Sequence, residues 1–231
     1  MQIFRKNRRL KLLFLALYVF TCSVEAQNSR ELIRNHITKW GECKNVAITK
    51  SNGDLALYGE NGWVGTGLPS LLSERLSDLN DEGRLIDDVQ LTEEGRWIIL
   101  FGDNEFYWYD IPYSLERRLK TMHEENEIVL SVTFNDDNDW IVISKDHYAA
   151  SSEEIQNWLK EGAKEFGMLW AACLSDDALV ACYEKGYKFL GNVPDNLVKA
   201  LQSSRLNVFR IKIAGASWFF ADIEGECNYE M

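Results

Sequence analysis

A chain of 231 residues is long enough to bury a core unaided, and its plentiful Trp, Tyr and Phe are those of a strand-rich protein. A net charge of −11 at pH 7 repels phosphate backbones and so excludes nucleic acid as an expected partner. Cationic partners, metal ions or none remain open.

The chain opens with a basic head, Arg5, Lys6, Arg8, Arg9 and Lys11, followed by an unbroken apolar run from Leu12 to Phe20. Val24-Glu25-Ala26 then places small residues at the two positions that a signal peptidase reads. Residues 1–26 are therefore predicted to be a signal peptide, with a mature chain of one domain over 27–231 and an exported, periplasmic or extracellular location. Acylation at Cys22 is the competing reading, disfavoured by the bulky Val19-Phe20-Thr21 before it. Removing 1–26 lowers the net charge to −15. The apolar run is shorter than the ~20 residues a bilayer needs, and no later segment reads as a span.

In the mature chain, Ser29 ahead of Ile33 and Ile37 predicts a helix at about 29–39. Asn45 to Thr49 reads as a strand, Trp63 opens a later short strand, and Leu68-Pro69 starts a helix at 69–79 with Leu72 and Leu76 on one side. The order then recurs. Ile86 to Leu91 is a strand, Thr92-Glu93-Glu94-Gly95 a turn, and apolar and aromatic strands start near Trp97 and Phe106. Ile111-Pro112 opens a helix at 112–123 with Leu115 and Leu119. Ile128 to Phe134, the turn Asn135-Asp136-Asp137-Asn138, Trp140 and Tyr148 repeat the pattern, and Ser152-Glu153-Glu154 caps a helix at 153–165 carrying Ile155 and Leu159. Leu169 to Leu174, Ser175-Asp176-Asp177, Tyr187 and Val193-Pro194 follow, with a helix at 194–202 presenting Leu197 and Leu201. Val208 to Ile213 and Trp218 begin a last set of strands with no helix after it.

The three prolines are spaced by 43 and 82 residues, one period and two. Proline suits the first helical position, where its missing N–H is not needed. The spacing predicts an α+β fold of five strand-strand-strand-helix (βββα) units. The first helix lacks strands before it and the last strands lack a helix after them, so the two ends complete one unit. That phase predicts closure into a propeller-like ring rather than an open array, which would need polar capping repeats.

Segments such as Glu94-Gly95-Arg96-Trp97-Ile98-Ile99-Leu100-Phe101-Gly102 running on to Ile111-Pro112 resemble secreted bacterial tandem repeats of the form Gly-x-Trp-(apolar)-Gly-Asn-Gly-(aromatic)-Ile-Pro. The resemblance covers nearly all of the mature chain and carries no activity with it. In architecture, five such units are similar to the pentein, or α/β-propeller, fold; a five-bladed β-propeller with helical connections is the alternative. The pentein resemblance implies a runner-up function as an enzyme that modifies guanidino groups, with Cys227 as nucleophile and with His123 and Glu125 echoing a His-x-Asp pattern.

Cys43, Cys173, Cys182 and Cys227 remain after the signal is removed, an even number that allows three pairings. Ring closure puts Cys43 and Cys227 together and predicts a disulfide between them. Cys173 and Cys182 fall on two arms of one hairpin, paired or as buried thiols. Asp136, Asp137 and Asp139 are the nearest thing to a calcium loop, but they lack the glycine and distal glutamate of an EF-hand, and Asp and Asn are ordinary turn formers. In Phe106-Tyr107-Trp108-Tyr109, alternation sends Tyr107 and Tyr109 to one face, where with Asp103 and Asp110 they form a candidate sugar-stacking surface. No motif calls for a cofactor. The leading expectation is a non-catalytic binding or scaffold module for a glycan or a protein.

Overall fold

The computed structural model describes residues 30–51, 53–102 and 104–231. The signal segment 1–26 with Cys22, the mature start at Gln27, Ser29 and Asp103 lie outside the described residues. Helix α1 (30–40) is followed by β1 (Asn45–Ala47), β2 (Asp54–Tyr58), β3 (Gly62–Thr66) and α2 (Ser70–Asp81). The second unit is β4 (Ile86–Leu91), β5 (Trp97–Phe101), β6 (Glu105–Tyr109) and α3 (Tyr113–Glu124), and the third is β7 (Val129–Phe134), β8 (Trp140–Ser144), β9 (Tyr148–Ala150) and α4 (Glu153–Phe166). The fourth is β10 (Leu169–Leu174), β11 (Ala178–Tyr183), β12 (Gly186–Gly191) and α5 (Asp195–Ser203), and β13 (Arg210–Ala214), β14 (Ser217–Ala221) and β15 (Cys227–Glu230) end the chain. Each run of three strands forms its own antiparallel sheet in chain order, five sheets among the described residues.

Pro69, Pro112 and Pro194 stand one place before the predicted helical position, as the residues flanking α2, α3 and α5. Their ψ angles of 131–136° are extended, so each proline fixes the entry of the chain without joining the helix. At the same place before α4, Ser152 does the job by side-chain chemistry, its hydroxyl accepting from the Ile155 N–H.

Every helix is wedged between two sheets. Leu72, Leu76 and Leu79 of α2 pack with Leu55 and Leu57 of the first sheet and Val89, Trp97 and Phe101 of the second. Leu115, Leu119 and Met122 of α3 join Ile98 and Leu100 to Val132, Phe134 and Trp140. Leu159 of α4 and Leu197 and Leu201 of α5 serve the next two junctions. The fifth core is built by Ile33 and Ile37 of α1 with Val46, Ile48 and Ala56 of the first sheet and Phe219 and Ala221 of the last. Trp97, Trp140 and Trp218 pair in register with Leu91, Phe134 and Ile213, and all three are buried, as the repeat predicts.

The hairpin turns set the length of the unit. Gly95 and Asn138 occupy equivalent fourth positions with φ of 80° and 69°, a conformation that glycine and asparagine adopt at low cost. The fourth unit closes its turn one residue earlier, with the Ser175 N–H donating to the Ala178 carbonyl, and the last uses only Gly215-Ala216 between paired Ala214 and Ser217.

Gly162 on α4 faces the Tyr183 ring, and Tyr183 Oη donates to the Leu159 carbonyl at 3.1 Å. A methyl group at position 162 would meet Tyr183 Oη and Cζ. Helix propensity alone favours alanine over glycine by about 1 kcal/mol. Crowding reverses the sign, and Gly162→Ala is expected to lose about 1–3 kcal/mol. Urea unfolding checks this, and a more stable variant would reject the packing of α4 on β11.

Strands β1, β4, β7, β10 and β13 lie beside one another, with β1 also next to β13. Where they meet, charged side chains are buried. Asp88, 1% exposed, accepts from Lys212 Nζ at 3.1 Å, Ser131 Oγ at 3.0 Å, the Val132 N–H at 3.1 Å and Asn45 Nδ2. Lys212 Nζ also donates to Gln90 Oε1 at 3.0 Å. Four of the five sheets thus meet on one carboxylate. Burial by itself would raise the Asp88 pKa, but Lys212, Arg210 and the Val132 N–H together hold it below its ordinary value.

Candidate functional site

Strand β6 reads Glu-Phe-Tyr-Trp-Tyr and is the outer strand of its sheet, paired only to β5. Its side chains alternate. Phe106 and Trp108 lean on the α3 core, and Tyr107 leans on the α2 core, 4.6 Å from the Phe101 ring. Because one long edge of β6 has no neighbouring strand, both faces are reached from it. Phe101, Glu105, Phe106, Tyr107, Trp108, Lys120 and His123 line an open recess of about 400 Å³ there.

The recess has apolar walls and a charged rim. Lys120 Nζ sits 5.6 Å from the centre of the Trp108 ring and is paired to Glu116 at 2.5 Å. Arg75 lies 5.1 Å over Tyr107, and Arg84 lies 5.2 Å over Phe101 while pairing with Glu105 at 3.0 Å. His123 meets the Phe106 ring edge-on at 6.1 Å, its Nδ1 3.0 Å from the Asn104 carbonyl. A few ionic and imidazole groups around aromatic walls are what a small polar ligand with an apolar face requires.

Of the predicted sugar-stacking residues, Tyr107 lines this recess. Tyr109 is 53% exposed but stands at the far end of β6, beside Trp97, and the neighbouring Asp110 gives its carbonyl to Arg96 Nε at 2.6 Å. Alternation named Tyr107 and Tyr109 as partners on one face. The open edge instead combines Tyr107 with Phe106 and Trp108 from the other face, a grouping that depends on which strand is outermost.

The predicted enzyme residues fall in two places. His123 and Glu125 are exposed at the end of α3, whereas Cys227 is half-buried in the core shared by α1 and the first and last sheets. No hydrogen bond, ion pair or ring contact among the described residues joins Cys227 to either of them. Burial pushes the Cys227 thiol up to about 11, away from the lowered value a nucleophile needs.

The acidic turn is engaged by its neighbours. Buried Arg96 reaches from the second unit to the Asn135 and Asp136 carbonyls at 3.4 Å, to Asn138 Oδ1 at 2.8 Å and to the Asp136 carboxylate at 3.8 Å. Asp136 Oδ2 accepts from the Glu94 N–H at 3.2 Å, and Asp139 accepts from Ser151 Oγ at 2.7 Å. Asp137 is exposed. The turn works as a socket for Arg96, a partner that stands 39 or more residues away in sequence. Among the described residues Cys43, Cys173, Cys182 and Cys227 are free thiols, so the disulfide expected between Cys43 and Cys227 is not formed. Among the described residues no helix is long and apolar enough to cross a membrane. No protein-family model matches the chain, and no curated protein matches it in sequence.

Proposed function

We propose that the chain is an exported, non-catalytic binding module, a closed pentein-like ring of five units that holds an oligosaccharide in the recess on β6. The observation that carries the ligand class is the joining of Phe106, Tyr107 and Trp108 with Glu105, Lys120 and His123 around one open recess. The C–H face of a sugar packs on aromatic walls, and its hydroxyls donate to the Glu105 carboxylate and accept from the Lys120 ammonium, with the His123 imidazole beside them at the rim. Closure of the ring is supported by α1 filling the junction between the first and last sheets, by the Cys43 N–H donating to the Gly225 carbonyl at 2.9 Å, and by Thr38 Oγ1 lying 3.2 Å from Tyr229 Oη.

The test is a glycan array followed by titration of any hit with tryptophan fluorescence as the readout. An oligosaccharide is expected to bind the wild type, and Trp108→Phe with Lys120→Gln is expected to weaken it at least tenfold while leaving the melting temperature within a few degrees. Binding that these changes leave intact would move the site elsewhere. Absence of any glycan hit, together with capture of an extended peptide whose amides become protected against β6, would replace the glycan with a strand-adding partner.

A further inference from the structure

Two of the four described thiols, Cys43 and Cys227, share one packed core. Cys43 stands just before β1, fully buried, its Sγ donating at 3.3 Å to the Asn45 carbonyl and at 3.4 Å to the Leu57 carbonyl. Cys227 opens β15, in register with Ala221 of β14. The strand lead-in folds back on Cys43, so that the Gly225 carbonyl takes the Cys43 N–H at 2.9 Å and a Cβ at Gly225 would lie 3.5 Å from the Cys43 carbonyl carbon. The two side chains belong to the same core, packed with Ile33 and Ile37. The remaining pair differs. Cys173 is opposite Val180 and Cys182 opposite Ala171, a diagonal placement whose ~7–8 Å spacing exceeds the ~3.5–4.5 Å between the Cβ atoms of a disulfide.

We propose that Cys43 and Cys227 form an oxidisable dithiol, which a small-molecule disulfide converts to a covalent bond between the first and last sheets, while Cys173 and Cys182 stay reduced. Cys227 is the half-exposed member and lies on a strand paired on one side only, so it reacts first. Its thiolate attacks one sulfur of oxidised glutathione, forming a mixed disulfide and releasing one glutathione thiol. The Cys43 thiolate then attacks the Cys227 sulfur and releases the second glutathione. Two cysteine protons and two electrons leave with the two reduced glutathiones, and one S–S bond is gained for the one lost. Both thiols are raised by burial, Cys227 to about 11, so the reaction is slow at neutral pH and waits on opening of β15. The bond needs no ligand in the β6 recess, and the inference stands or falls apart from the glycan reading.

The experiment is incubation of the folded, reduced protein with oxidised glutathione at pH 8, followed by intact mass, non-reducing peptide mapping and melting. The expected product has lost two hydrogen atoms, yields a Cys43–Cys227 cross-linked peptide and leaves Cys173 and Cys182 to be alkylated only after unfolding. It should melt roughly 5–15 °C above the reduced protein, since the bond closes most of the chain into one loop. Cys227→Ala should melt at one temperature with or without the oxidant. Glutathione retained on Cys227 without a cross-link, a Cys173–Cys182 bridge, or four free thiols after prolonged oxidation would each overturn the proposal.

Discussion

Replacing Lys212 with methionine is expected to destabilise the protein by about 3–5 kcal/mol at neutral pH, because it strands a buried carboxylate without its charge partner. Lys212 and Asp88 are 124 residues apart in sequence and 3.1 Å apart in space, with side-chain exposures of 7% and 1%. The donors to Asp88 come from β1, β7 and β13, so the loss is felt at several sheet junctions at once.

The pH dependence supplies the sign. The folded-state pKa of Asp88 lies below its ordinary 3.8, so its contribution is present above about pH 4 and is lost as pH falls through the lower folded value. Without Lys212 burial meets less opposition and the Asp88 pKa rises from its depressed value, so the gap to wild type narrows as pH falls and Asp88 takes up a proton. Asp87, raised by burial ahead of its pairing with Lys44, acts in the opposite direction to wild-type Asp88: its contribution is present below pH 3.8 and lost as pH rises through its folded value. Urea unfolding of wild type and Lys212→Met at pH 7 and near pH 4 should show the gap narrowing. A gap that is constant with pH would mean that Lys212 acts by packing alone. A companion variant, Asp88→Leu with Lys212→Met, removes both charges and should recover much of the loss.

Ile33→Ala, at the helix nearest the start of the described chain, should cost about 2–5 kcal/mol, as much as Leu115→Ala in the middle of it. Both side chains are fully buried. In a closed ring α1 has a sheet on each side, and its loss lowers one cooperative unfolding transition. In an open array α1 would be a terminal helix, fraying before the rest, and truncating Ile33 would shift an early minor transition and leave the main one in place. Denaturant unfolding followed by both circular dichroism and tryptophan fluorescence separates the two outcomes. Coincident curves, displaced equally for both variants, are the result that closure requires.

Much of the fold is local and so was legible. Strands β4 and β10 have the bounds that their apolar periods predict, and the helices fall within a residue or two of the leucine stripes behind each proline. The candidate site was half legible: Phe106-Tyr107-Trp108-Tyr109 announces an aromatic strand, but its recess exists because β6 is the outermost strand and α3 brings Lys120 and His123 alongside. At the position equivalent to Trp97, the first sheet has the buried Asp54, which is clasped by Arg30 of α1 at 2.9 Å.

The sequence by itself therefore determined the repeat, the order of elements and the side of each helix that is buried, since hydrophobic period, proline and turn chemistry act over a few residues. Only the tertiary structure decided which charges meet: Asp88 with Lys212, Arg96 with the turn after β7, and Arg30 with Asp54. A buried charge needs its partner within about 4 Å. Partners 24 to 124 residues apart reach that distance only after neighbouring sheets have packed, so no local pattern in the chain records the pairing.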